Sequence, residues 1–340
     1  MKNRLLTFLL IVFPFGSLFC QIGGEGIYRF LDIPNSAKVA ALGGTQIAFT
    51  DNDLDLTFYN PSLLSDSMRN QLSVNYVQYI AGISVGYASF APNLKGPNSF
   101  ALGIHYVNYG TFEGASETGQ QTGTFKAAEY AFNLFYCRTI TPQVKAGINL
   151  KPIISSFESY QSIGLAADLG ITYTAKNQLS VFSFVVKNIG SQITTYYDNA
   201  DREKLPWDVQ MGFSKTLAHA PIRFLVTAYH LNRWDLSYQN NQSDGNQPAD
   251  KTDGFASLLM RHLVFGAELL PEKHVTVRFG YNYQRQKELA IGNHPGLVGF
   301  SAGLGVKIAK FNLNYGIASY HLAATSHYFS LAVNLSQFIR

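Results

Sequence analysis

Beyond residue 72 the chain alternates, one residue at a time, between large apolar side chains and small or polar ones. Phe100, Leu102, Ile104 and Tyr106 interleave with Ala101, Gly103 and His105. Tyr130, Phe132, Leu134 and Tyr136 interleave with Glu129, Ala131 and Asn133. Val275, Val277, Phe279 and Tyr281 interleave with Thr276, Arg278, Gly280 and Asn282. A period of two is the signature of strands with two unlike faces. A soluble sandwich would turn its apolar face onto a second sheet. Gly, Ser, Asn and Lys on one face and bulky apolar groups on the other suit a wet lumen inside and lipid outside. After the first twenty residues no stretch reaches 18 apolar residues, so no helix of this chain is expected to cross a bilayer.

Composition agrees. Charged residues are 14% of the 340, against about 25% in an ordinary soluble domain. Aromatics reach 14%, and a mean hydropathy of 0.00 is too polar for a bundle of membrane helices. A formal charge of +4 makes no basic face, which excludes nucleic acid as a partner. The expected fold is all-β: a transmembrane antiparallel β-barrel of about 14 strands with an N-terminal plug segment. Alternating segments begin near Leu72, Gly82, Ser99, Ala127, Val144, Ser162, Leu179, Trp207, Ile222, Ser257, Val275, Leu297, Phe311 and Ser326. An even count allows antiparallel closure. Connections after odd strands (Gly110–Lys126, Ser155–Gln161, Ile189–Pro206, Asn232–Ala256, Arg285–Gly296) are long, and those after even strands are mostly short. That is the pattern of long outer loops and short periplasmic turns. Ile80–Ala81 and Ala91–Asn98 break it.

Residues 1–20 read as a signal peptide. Lys2 and Arg4 precede the apolar run Leu5–Phe13, and Pro14, Gly16 and Ser17 follow. Cleavage is placed after Cys20, with a lipidated Cys20 as the alternative. Cys137 is then the only thiol in the barrel, so no internal disulfide is expected. Residues 21–71 lack the alternation and are assigned to a plug, with a periplasmic tail as the alternative; residues 72–340 form the barrel. Ser36 to Gly44 reads as a capped short helix ended by Gly. Leu42, Gly43, Gly44, Asn60 and Pro61 are the candidate plug residues.

The run from Gly26 to Gly44 (GIYRFLDIPNSAKVAALGG), then Asp51-Asn52-Asp53 and Tyr59 to Leu64 (YNPSLL), resembles the N-terminal region of the PorQ family. These are outer-membrane components of the type IX secretion system of Bacteroidetes. More loosely, the run resembles the related PorV family and the FadL-like fourteen-stranded barrels with an N-terminal hatch. The resemblance implies a non-enzymatic role. Such a protein anchors a PorZ-like surface protein, with other attachment-complex components, where exported cargo is received. Its remaining partner is outer-membrane lipid, and no cofactor is implied. The alternative is a FadL-like outer-membrane transporter of hydrophobic compounds, which needs an apolar path past the plug.

Motifs for chemistry are weak. Gly82–Gly86 and Gly299–Gly303 both fit G-x-S-x-G, but that motif needs a strand-to-helix turn, and here Ser84 and Ser301 fall in alternating strands. Asp51, Asp53 and Asp55 mimic the start of a calcium loop, yet Leu56 and Ser62 stand where Gly and Glu are needed. The expected reading is a turn whose carboxylates meet lumen cations such as Lys145, Lys151, Arg278 or Lys307. The lumen cations, Arg223 among them, are expected to pair with Asp168, Glu129, Glu268 and the plug acids. The histidines read as surface residues. Tyr196, Tyr197, Trp234 and Tyr238 are the candidate partner-contact residues, in the two longest polar connections. Trp207 and Trp234 also suit an interfacial aromatic girdle.

Overall fold

The computed structural model describes residues 26–49, 51–94, 96–116, 118–236, 254–269, 274–289, 296–321 and 324–338. The expected signal peptide lies outside them, as do Cys20 and Tyr238. Fourteen strands form one closed antiparallel barrel, each pairing with its sequence neighbour and the last returning to the first. They are β1 Gln71–Gln78, β2 Ser84–Phe90, β3 Asn98–Ala115, β4 Gln121–Thr141, β5 Val144–Phe157, β6 Tyr160–Thr174 and β7 Ser180–Thr194. The circuit continues through β8 Asp208–Thr216, β9 Ile222–Ala228, β10 Leu263–Leu269, β11 Val275–Asn282, β12 Phe300–Ile308, β13 Phe311–His321 and β14 Ala324–Asn334. Closure leaves no sheet edge along the wall, which is what lets strands stand in lipid.

The two faces separate as the alternation requires. Phe132, Leu102 and Phe279 point outward and are 41–53% exposed, whereas Asn133, His105 and Arg278 point inward and are buried. The outer surface is therefore a belt of bulky apolar side chains suited to lipid.

Several boundaries differ from the sequence reading. Residues 255–261 form a helix, α2 (Phe255–Arg261), and β10 begins only at Leu263. The run Ala-Ser-Leu-Leu-Met-Arg is made of good helix formers, and that local preference prevails over its partial alternation. At Leu297 the strand starts three residues late, because Gly299 has φ +87° and Val298 is buried. The connections assigned to Gly110–Lys126 and Ser155–Gln161 are mostly strand. There β3 and β4 stay paired to Ala115 and Gln121, and β5 turns into β6 through residues 158–159 alone. Long connections remain after β7, β9 and β11. The last carries the helix α3 (Tyr283–Leu289).

Residues 26–49 and 51–70 lie inside this wall. They enter at the far end, where odd-numbered strands finish, with the Ile27 amide donating to the Lys204 carbonyl (3.1 Å) in the β7–β8 connection. They leave at the opposite end, where the Asn70 amide donates to Ala91 (2.7 Å). In between come a 3-10 turn at Arg29–Asp32, the helix α1 (Ala37–Ala41), and 3-10 turns at Leu54–Phe58, Pro61–Leu63 and Asp66–Met68. Leu31, Val39, Leu42, Ile47, Leu54 and Leu56 are fully buried, and each such side chain contributes roughly 1.5–3 kcal/mol. The lumen is thus packed with protein rather than wet, which corrects the reading of its Gly/Ser face. Those small residues are seats for the plug. A methyl group on Gly280 would overlap the backbone of Leu42 and Gly43, and one on Gly147 would overlap Pro61.

Candidate functional site

Two regions carry the polar chemistry: the seam between plug and wall, and the connections at the far end. In the seam, Arg223 on β9, Glu268 on β10 and Arg278 on β11 stand directly opposite one another in register. Arg278 Nε donates to Glu268 Oε1 at 2.7 Å, and Arg278 Nη1 to Asn314 at 2.9 Å. Arg223 Nε lies 2.9 Å from Glu268 Oε2, an ion pair without hydrogen-bond alignment. Arg223 Nη1 donates to Asp51 Oδ1 of the plug at 2.8 Å, and Lys38 of α1 also grips Asp51. Burial opposes ionisation of Asp51, but Arg223 and Lys38 outweigh it and hold its carboxyl well below the usual range. Three cations thus meet Asp51, Asp53 and Glu268, so the buried charges balance; a lone buried charge would be costly. Of the lumen cations expected to meet the plug acids, Arg223 does so at Asp51, which the plug's own Lys38 also holds, whereas Asp55 meets Ser73 and Asn75. Lys145 is only half-buried and Lys307 is exposed. Lys151 pairs with Asp168 at 2.7 Å, and Glu129 accepts hydrogen bonds from Tyr109 and Ser155.

The candidate plug residues occupy definite places. Leu42 packs on the wall at Gly266. Gly43 and Gly44 follow α1 at φ +99° and +91°, conformations that other residues rarely adopt. The Gly43 amide donates to Ser301 Oγ, which donates on to the Ala41 carbonyl, both at 3.0 Å. Asn60 Nδ2 donates to the Ile47 carbonyl and to Thr172 Oγ1, each at 2.9 Å. Its Oδ1 accepts from the Ser62 amide and hydroxyl, and Pro61 opens the following turn. Ser301 therefore holds the plug, and Ser84 simply opens β2.

The candidate partner-contact residues do not form one patch. Tyr196 is half-buried, its hydroxyl 2.6 Å from Ser155 Oγ and its ring edge-on to Phe157. Burial pushes that hydroxyl up to about 12. Tyr197 is exposed and packs on Tyr160. Trp234 is 51% exposed and stacks on His262 in a different connection. The histidines are not all at the surface. His262 is buried between the carbonyls of Tyr229 and Trp234, and His105 is buried among Phe30, Phe58 and Tyr87.

Also at the far end is a cavity of about 360 Å³ that the sequence did not reveal. Arg29 and Asp32 of the plug, Lys187, Asp208, His230 and Glu288 line it. The lining comes from eight separate stretches of chain, so no local spacing could mark it.

No family model and no curated protein sequence matches the chain. Among solved structures it is similar to the toluene transporter TodX of Pseudomonas putida, with 11% identity over 89% of this chain and 99% of that one, at a TM-score of 0.53. It is also similar to the toluene transporter TbuX of Ralstonia pickettii, with 12% identity over 89% and 97% of the two chains, at a TM-score of 0.52. At such identity the likeness is one of architecture: this chain folds as a closed fourteen-stranded barrel of the kind those transporters share.

Proposed function

We propose that the protein is an outer-membrane anchor of a type IX secretion attachment complex. It is exported after removal of residues 1–20 and holds a surface partner through its far-end connections. One observation carries this reading over transport. The lumen is filled by a plug bound through a balanced, buried ion network, and the cavity left at the far end is lined by charged groups. Leu31, Ile33 and Phe58 give those walls an apolar part, but a solute without polar groups would leave the charged groups beside them desolvated. The N-terminal run GIYRFLDIPNSAKVAALGG supports the same reading.

The second reading is transport of hydrophobic compounds across the outer membrane. The fold likeness to two toluene transporters favours it over the anchor. Deleting residues 240–250 separates the two. Loop shortening changes closure entropy slowly, so the barrel should still assemble. An anchor loses its surface partner to the medium and keeps its uptake of hydrophobic compounds. Lost uptake with a retained partner would establish transport instead.

A further inference from the structure

The cavity at the far end contains a buried cation, Lys187, whose ammonium donates no hydrogen bond among the described residues, although Asp208 stands across from it in register and Asp32 feels its charge. Alternation along β7 turns Val181, Ser183, Val185 and Lys187 inward. Then the register with β6 shifts between Ala167 and Leu169, and Asn188 takes φ +56°. This bulge points two consecutive side chains, Lys187 and Asn188, into the barrel opposite the single residue Asp168. Bulges of this kind re-aim side chains and are frequent beside functional sites.

The neighbouring acids are engaged elsewhere. Asp168 holds Lys151 at 2.7 Å and accepts from the Asn188 amide at 2.8 Å. Asp208, across from Lys187 in register, accepts from Gln210 Nε2 and the His230 amide, both at 2.6 Å, and lies 3.4 Å from His230 Nδ1. Asp32 faces Arg29 at 3.6 Å and accepts from Asn188 Nδ2 at 3.3 Å. Lys187 itself is 7% exposed. Its ammonium stands 5.3 and 5.5 Å from the ring centres of Phe58 and Tyr59, and it makes no hydrogen bond or ion pair among the described residues. Aromatic faces stabilise a cation only in part, and three N–H donors remain to be met.

We propose that this cavity is a binding site for a small soluble oxyanion, a carboxylate or phosphate group received by Lys187. The anion completes the shell of the ammonium. Arg29 and Arg285 on the same walls offset the carboxylates of Asp32, Asp208 and Glu288, and Leu31, Ile33 and Phe58 give an attached carbon skeleton an apolar surface. The site is independent of whether the barrel anchors or transports.

The test uses the full-length protein in detergent at low ionic strength, titrated calorimetrically with sodium benzoate and, separately, with inorganic phosphate. Saturable binding of at least one is expected, and which one binds identifies the preferred oxyanion. Lys187→Gln should weaken it at least tenfold, and Lys187→Arg should keep it within about threefold. Should Lys187→Gln fail to fold, reductive methylation of the unaltered protein replaces it. The bound anion should then slow modification of Lys187, read by peptide mass spectrometry, and leave Lys145 unaffected. Absence of saturable binding for both anions overturns the proposal. So does unchanged affinity in Lys187→Gln, or equal labelling of Lys187 with and without the anion that binds.

Discussion

Asp55 lies within the plug, where its Oδ1 accepts from Ser73 Oγ at 2.5 Å and from Asn75 Nδ2 at 2.9 Å. Burial, and then the neighbouring Asp53, push its carboxyl up to about 7. The folded protein therefore binds a proton there that the unfolded chain releases at about pH 4. This contribution is complete below pH 4 and is lost as pH rises through 7. Asp55→Asn keeps an acceptor oxygen in place and cannot ionise. Its thermal midpoint in detergent should lack the decline between pH 4 and 7, and above pH 7 it should exceed that of the parent. Glu268 makes the opposite case. Its carboxylate sits between Arg223 and Arg278, all three buried. Glu268→Ala leaves two buried guanidinium groups short of an anion and should cost about 3–5 kcal/mol, measured by denaturant unfolding. A loss under 1 kcal/mol would mean that Asp51 and Asn314 suffice for the arginines.

Within each strand, the two faces answer to different surroundings. Phe132 points to lipid, and Phe132→Arg near the bilayer midplane should cost on the order of 2–4 kcal/mol of folding stability in vesicles. A wet lumen would make Asn133→Arg a mild change. The structure removes that distinction, because Asn133 is fully buried and its Oδ1 accepts from Asn149 Nδ2 at 2.9 Å. Asn133→Arg should disrupt packing of the plug against the wall while strand insertion proceeds. Limited proteolysis that cuts residues 26–70 while the barrel stays intact would show this. Gly280→Val tests the same seam from the wall side, since its side chain meets the backbone of Leu42 and Gly43. It should also expose the plug to protease, and a plug as resistant as in the parent would place the α1 seat elsewhere.

For the whole molecule, closure through β1 and β14 makes the barrel a single hydrogen-bonded circuit. Unboiled protein should migrate faster than boiled protein on detergent gels, the behaviour of a closed sheet that resists unfolding. The long connections after β7, β9 and β11 all leave from one end, and the short connections 142–143, 217–221 and 309–310 leave from the other. A protease tag near Gly245 should be cut on whole cells, and one near Gln143 should not. Equal cleavage of both would reverse or abolish this orientation.

The alternation of side chains by itself determined that the chain forms two-faced strands and which side chains share a face; the count of about fourteen also leaned on the resemblance of the N-terminal run. A period of two survives any tertiary arrangement, because successive side chains of a strand must point to opposite faces. Phe100, Phe132 and Phe279 on one side, and His105, Asn133 and Arg278 on the other, are legible for that reason. Strand ends were less so. Ser257 lies in a helix, and Gly110–Lys126 is mostly strand, because local propensity and cross-strand pairing decide where alternation stops. Only the tertiary structure decided what the small-residue face was for. Gly147 and Gly280 look the same beside water as beneath a plug, and the difference lies in residues more than eighty positions away. The same holds for Lys187. Its inward direction follows from the strand period, but its lack of a hydrogen-bond partner among the described residues follows from a bulge at Asn188 and from the hydrogen bonds that occupy Asp32, Asp168 and Asp208. Those partners meet only when β6, β7, β8 and the plug close on one another, and no spacing along the chain encodes that meeting.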